Sequence, residues 1–246
     1  MSKHEFLDKF IVGMGSLYGE SLKFFNRSFE SDTIRDTIEA ITLPRLPDFS
    51  REEEFTVQAS WKETAIPTRF RITTWRGIEF PTLIFHHGSG DQPYFSRINK
   101  IIPPGRPDTP FNIIATDSPY NKTKKEYFTA VGDLQKFVLI FSLSTVLIEA
   151  IIKQLREAGS RPEKIVVSGI SLGGWITNLH HTYYNTADEY RPIFAGAAPD
   201  DLFTDSAYRT MTSKHLSVHK DHLQQVLNFE EDFRKRENGN VYPLLA

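Results

Sequence analysis

The feature that most constrains this chain is a set of four short, continuous apolar runs, separated by stretches with room for helices. They are Pro81–Phe85 (PTLIF), Phe111–Ala115 (FNIIA), Lys164–Val167 (KIVV) and Pro192–Ala195 (PIFA). A strand that is apolar at successive positions is covered on both faces, as in a parallel sheet between layers of helices. The pattern predicts an α/β architecture with a mostly parallel sheet flanked by helices.

Ahead of these runs, Phe55, Val57, Ala59 and Trp61 alternate with Thr56, Gln58 and Ser60. A second run, Thr68 to Trp75, puts Phe70, Ile72 and Thr74 on one face and closes at Arg76-Gly77. Period two marks half-buried strands, so these two predict an antiparallel pair. Between FNIIA and KIVV, residues Val131, Leu134, Val138, Phe141, Thr145, Ile148, Ile152 and Leu155 step by three or four, with Gly159 placed as a C-cap. Helical spacing also links Phe6, Phe10, Met14, Leu17 and Phe24, and again Ile34, Ile38 and Ile41 after Asp32, a capping candidate. The expected organisation is an N-terminal helical extension over residues 1–50, a candidate surface for self-association, and an α/β core over residues 51–246.

Composition removes several alternatives. Among 246 residues there is no cysteine, which excludes disulfides, thiolate metal sites and a cysteine nucleophile and fits a reducing, cytoplasmic location. A net charge of −2 supplies no positive field, so nucleic acid is not an expected partner. The longest apolar stretch, Phe137–Ile152, contains Ser142, Ser144, Thr145 and Glu149 and falls short of the ~20 residues of a membrane span, so it predicts a buried helix. No signal-peptide pattern opens the chain.

The chemistry is concentrated in two motifs. Gly169-Ile170-Ser171-Leu172-Gly173-Gly174 follows the KIVV run and precedes a candidate helix from Gly173 to His181. A G-x-S-x-G placed between strand and helix puts its serine on a sharp turn, with the hydroxyl exposed at the helix N-terminus. Three fixed positions recur by chance in roughly one chain in ten of this length, so the strand–helix context carries the weight. Upstream, His86-His87-Gly88-Ser89-Gly90 follows the PTLIF strand. Acyl transfer builds charge on a carbonyl oxygen and needs N–H donors fixed in advance. The candidates are the N–H of Leu172 and that of Gly88 or Ser89. HHGSG is not a phosphate loop, because no Gly-Lys-Ser/Thr follows.

In the order strand, HHGSG, strand, helix, strand, GISLGG, helix, strand, residues 52 to 200 resemble the α/β-hydrolase superfamily. The resemblance implies an esterase-like serine hydrolase acting on a small acyl substrate without a cofactor. Ser171 would be the nucleophile, and an acid and then a histidine would follow it in the chain.

The rest of the triad is less readable. The chain ends in Val241-Tyr242-Pro243-Leu244-Leu245-Ala246, which reads as the opening of one more strand. The expectation is therefore a core incomplete at its C-terminus, with the usual acid and histidine beyond Ala246. The alternative within the chain is Asp200 or Asp201 as acid, Asp205 less so, against a helix-capping role for the first two. His180 and His181 lie nine and ten residues past Ser171, about 14 Å along its own helix and too far to be its base. His215, His219 and His222 have the helical spacing of metal ligands but lack the H-E-x-x-H pattern, so a solvated face is expected and no metal is assigned. His87 and Asp117 are the candidates to line the substrate pocket, Asp117 because it ends the FNIIAT strand, although a turn before Ser118-Pro119 explains it too. A non-catalytic binding protein of the same fold, or an acyltransferase using the same site, are the competing readings.

Overall fold

A computed structural model describes residues 23–106, 108–159, 165–213 and 219–244 of the chain. In chain order the elements are α1 (Ile34–Ala40), β1 (Glu53–Trp61), β2 (Thr64–Thr74), β3 (Thr82–His86), α2 (Ser96–Ile101), β4 (Asn112–Thr116), α3 (Lys124–Val131), α4 (Leu134–Glu157), β5 (Ile165–Ile170), α5 (Leu172–Tyr183), β6 (Glu189–Ile193), α6 (Pro199–Thr204), α7 (Lys220–Leu227) and α8 (Glu230–Lys235). The strands form one sheet in the order β1-β2-β4-β3-β5-β6.

The apolar runs become the central parallel strands. β3 pairs in parallel with β4, Ile84 opposite Ile114, and with β5, Ile84 opposite Val167. β4 is buried at all five positions, as two-sided coverage requires. The alternating pair is the antiparallel β1–β2 hairpin, with Phe55 opposite Phe70. Its second strand begins at Thr64, four residues before the expected start. The turn at Lys62-Glu63 has positive φ at both residues (43° and 63°), without the Asn-Gly or Asp-Gly pair that announces such a turn in a sequence.

Two further boundaries differ from the sequence reading. The helix expected from Val131 is two helices, because Gly132-Asp133 breaks the run and the Asp133 side chain accepts from Lys136 N–H to start α4. β6 starts at Glu189 rather than Pro192 and ends at Ile193, before the φ of +55° at Phe194. It was hidden because Glu189 and Arg191, which form an ion pair at 2.6 Å, give it a mixed rather than continuous apolar pattern.

α4 is long and apolar enough to cross a membrane by length and composition, and most of it is buried here as the core helix. Phe141, Leu147, Ile148, Ile151 and Ile152 are inaccessible to solvent, each such burial stabilising the fold by about 1.5–3 kcal/mol. The described part of the expected N-terminal extension joins this core. Phe25, Ile34, Ile38 and Leu46 are buried, and Ser142 Oγ donates to Ile34 O across α1 and α4. Thr33, not Asp32, caps α1, while Asp32 pairs with Lys62. The helix expected over Phe6–Leu17 lies outside the described residues.

At the other edge, Val241–Leu244 runs parallel to β6. Tyr242 N–H donates to Tyr190 O at 2.8 Å, Leu244 N–H to Pro192 O at 2.9 Å and Phe194 N–H to Leu244 O at 2.9 Å. Tyr242 and Leu244 are about half exposed.

Candidate active site

Ser171 stands at the C-terminal end of β5 and is exposed. Its φ of 54° and ψ of −112° lie in a region that residues with a Cβ rarely occupy, and the next residue begins α5. The flanking glycines show what forces the turn so tight. A Cβ on Gly173 would lie 2.2 Å from His86 O, and one on Gly169 would lie 2.4 Å from the Gly173 backbone. The helix thus starts in contact with both its own strand and β3, which only glycine permits at these two positions. Ser171 N–H donates to Ile193 O at 2.9 Å, which ties the turn to β6 as well. Leu172 follows at the first position of α5, where a helix leaves its N–H groups without carbonyl partners.

The HHGSG loop lies where the sequence places it, at the end of β3 beside the Ser171 turn. A Cβ on Gly88 would sit 3.5 Å from Ile170 O. The two candidate loop donors differ, however. Gly88 N–H donates to Asp91 Oδ2 at 3.0 Å and is spoken for, whereas Ser89 is exposed. Asp91 is in turn gripped by Arg97 Nε and Nη2, both at 2.7 Å. Burial opposes its charge, but the Arg97 hydrogen bonds and the Gly88 N–H hold its carboxyl below the usual range. The Ser89 hydroxyl bonds Tyr127 OH, whose own ionisation burial pushes up to about 12. The loop is therefore braced from two sides, by an Asp–Arg pair and by a tyrosine.

His87 is inaccessible to solvent, while Asp117, almost wholly buried, reaches the edge of a cavity; the two meet at 3.2 Å. Asp117 also accepts from Arg69 Nε at 3.0 Å, Asn121 Nδ2 at 2.8 Å and Ser118 N–H at 3.0 Å. His87 Nδ1 carries a proton, since its partner at 2.6 Å is Gly88 O, which can only accept. The chain Arg69–Asp117–His87–Gly88 fixes the loop from within. Beside it Asp117 and Arg69 border a cavity of about 220 Å³. His86, also inaccessible, is held far below its ordinary pKa by burial and by neighbouring His87, and its Nδ1 reaches His87 O at 3.1 Å.

Asp200 lies in the first turn of α6, buried, with Asn228 Nδ2 donating to its Oδ1 at 2.9 Å. Burial raises it to about 6. No described histidine contacts it, and Asp201 beside it is exposed. His180 and His181 are buried at the far end of α5: His180 bonds Glu149 and Tyr190, and His181 bonds Glu237 O. His219 stacks on Phe29 at 4.7 Å and His222 Nε2 bonds Phe29 O, so both lean on the N-terminal segment. His215 lies outside the described residues. Among the described residues no histidine ring bonds to Ser171, and no three His, Asp or Glu side chains converge as metal ligands would.

No family model matches the chain, and no curated protein matches it in sequence. Solved structures do. Acetyl xylan esterase 1 from Thermoanaerobacterium sp. JW/SL YS485 superposes with a TM-score of 0.50 at 14% identity, over 85% of this chain and 75% of that one. An acetyl xylan esterase from Paenibacillus sp. R4 gives 0.46 at 11% identity, over 86% and 75%. The esterase Est22 gives 0.47 at 13% identity, over 79% of this chain and 62% of its own length. The first of these likenesses is one of fold: a mixed α/β protein with a mostly parallel sheet flanked by helices.

Proposed function

We propose that the protein is a serine hydrolase that cleaves a carboxylic ester or related acyl bond through an acyl-enzyme on Ser171. The observation that carries this reading is the backbone at Ser171. An exposed serine is held at a positive φ between β5 and α5, at a turn whose two glycines admit no side chain. Strain of this kind persists where the surroundings over-determine it, and it clusters at reactive residues.

In the proposed reaction Ser171 Oγ bonds to the acyl carbon, the oxyanion is held by the N–H groups of Leu172 and Ser89, and the bond to the leaving alcohol breaks. The serine proton passes through a base to that alcohol, and water then releases the acid. Gly88 serves the loop through Asp91 rather than the oxyanion. Acetyl xylan esterase 1 shares this fold, which is compatible with ester chemistry and leaves the acyl group open.

A fluorophosphonate probe tests the nucleophile. The native chain should label and Ser171→Ala should not; labelling that survives the substitution removes Ser171 from the role. A second reading, a non-catalytic binding protein, is favoured by one observation: the described histidine rings that form hydrogen bonds all bond to groups other than Ser171. Turnover of p-nitrophenyl esters that vanishes in Ser171→Ala eliminates that reading, and competing alcohols or amines in the assay reveal any acyl transfer.

A further inference from the structure

Ser171 has two flanks. On the β3 side stands the HHGSG loop. On the β6 side the chain turns at Phe194 and passes over Ala195 to Ala198 into α6, and there a cleft of about 490 Å³ opens. Trp175, Phe194, Ala195 and Leu202 wall it, with Asp201 and Glu230 also in its lining. Both aromatic walls adjoin Ser171 through the backbone. Trp175 N–H donates to Ser171 O at 3.1 Å, and the Ile193 carbonyl that receives Ser171 N–H directly precedes Phe194. Ser171 is not itself in the lining, but the first turn of its helix and the chain that follows β6 both contribute walls, so the cleft adjoins the turn that carries the serine.

The cleft has a sign. Glu230 is balanced by Arg234 at 2.6 Å. The Asp201 carboxylate is exposed and meets no cation among the described residues, and no described lysine or arginine lines the cleft. Aromatic faces beside an unbalanced carboxylate attract cations with an apolar body, by ring quadrupole and by charge together, and repel carboxylates. A cleft of this volume is within the range of small-molecule sites.

The geometry points to an alkyl- or aryl-ammonium substituent of the substrate as the occupant of this cleft, its amine on Asp201 and its apolar body against Trp175 and Phe194. The assignment rests on Ser171 being the nucleophile only in making the occupant part of a substrate; the binding site stands without it.

The test is calorimetric titration of three matched probes, 4-phenylbutylamine, 4-phenylbutan-1-ol and 4-phenylbutyrate, into the native chain and into Ser171→Ala at pH 7 and low salt. The amine should bind at least tenfold more tightly than the alcohol to both proteins, and the carboxylate more weakly than either. Asp201→Asn, an isosteric surface change, should bring the amine within threefold of the alcohol and leave the alcohol unchanged. Phe194→Ala, at a half-exposed side chain, should weaken amine and alcohol alike by threefold or more. An alcohol or carboxylate that binds as well as the amine overturns the assignment, as does an amine that fails to saturate or a preference that survives Asp201→Asn. Amine selectivity without ester turnover would overturn the hydrolase reading and leave the cleft intact; turnover without amine selectivity does the reverse.

Discussion

The two ends of α5 are built from the same kinds of side chain and do opposite things. At its C-terminal end His180 is fully buried between Tyr190 and Glu149. Tyr190 OH accepts Ala187 N–H and so turns its proton to His180 Nδ1 at 3.1 Å, leaving Nε2–H for Glu149 Oε2 at 3.2 Å. Thr186 and Lys153 complete the carboxylate. At the N-terminal end His86 and His87 are equally buried, and His87 also meets a carboxylate, but their backbone carbonyls press on Gly173 and the His87 ring holds Gly88. A buried histidine–carboxylate pair is thus no mark of a catalytic base. What separates the ends is what the pair steadies: a helix terminus in one case, the exposed Ser171 turn and its neighbouring loop in the other.

The largest expected effect is at the N-terminal end. Gly173→Ala drives a Cβ into the His86 and His87 carbonyls at 2.2 and 2.8 Å, backbone against backbone, so neither side yields cheaply. A loss of more than about 4 kcal/mol is expected, with the chain unfolded or the Ser171 turn rebuilt. Gly239→Ala, where nothing lies within 4 Å, is the control and should move the melting temperature little. A Gly173→Ala chain that melts normally and still labels at Ser171 would falsify the tight-turn account.

Next come the two carboxylates. Asp117→Asn leaves the partly buried Arg69 guanidinium without its anion, whereas Glu149→Gln takes the charge from the acceptor of the neutral His180 ring and from the partner of the exposed Lys153. Breaking a pair with a buried charged member costs about 3–5 kcal/mol, so Asp117→Asn should lose stability on that order, while Glu149→Gln, which weakens a hydrogen bond to a neutral ring and an exposed ion pair, should lose about 1–2 kcal/mol. Only Asp117→Asn should also slow fluorophosphonate labelling of Ser171, by tenfold or more. Equal slowing in Glu149→Gln would erase the distinction between the two ends.

The contrast between what was readable in the residues and what was not follows the same line. Glycine spacing at Gly169 and Gly173, and the runs that became β3, β4 and β5, are local patterns with one physical meaning each. The HHGSG loop was placed correctly by its position after β3. The brace behind it was not: Arg69 meets Asp117 from 48 residues away and His87 meets it from 30, separations that leave no periodic trace. Asp91 escaped notice because a carboxylate three residues past a glycine is indistinguishable from loop solvation until Arg97 and Gly88 N–H are seen to converge on it. Asp200 sits at a helix start without capping it, since Ala198 is the N-cap, and its carboxylate meets Asn228 from 28 residues away, a contact with no local sequence signal.

Acid should affect both ends together. Burial holds His86 and His180 below their ordinary pKa of 6.5, the second partly restored by Glu149. The unfolded chain then takes up protons first, so the stability contributed by these neutral rings is complete above about pH 6.5 and is lost as pH falls below it. Urea melts at pH 7.5 and 5.0 should show the midpoint dropping in acid, and His180→Gln should flatten that drop. Asp200 acts in the opposite direction over the same range, so the melts are compared in an Asp200→Asn background, where a midpoint unchanged between the two pH values contradicts the burial assigned to these rings.

The smallest effect separates structural from catalytic carboxylates directly. Asp200 is shifted the other way, its carboxyl raised by burial from near 3.8 to about 6. The folded chain binds the proton more tightly, so stability linked to Asp200 is greatest below pH 4 and declines as pH rises through 6. At neutral pH the ionised side chain opposes folding by up to about 3 kcal/mol, less whatever relaxation recovers. Asp200→Asn keeps an acceptor for Asn228 Nδ2 and removes the charge, so at pH 7.5 it should raise the melting temperature by a few degrees and abolish the pH 4–6 dependence. Labelling of Ser171 and any ester turnover should be unchanged, because no described histidine reaches Asp200. A thousandfold fall in turnover with stability intact would instead restore Asp200 as the acid that orients a histidine, and would require α6 and α5 to act as one site.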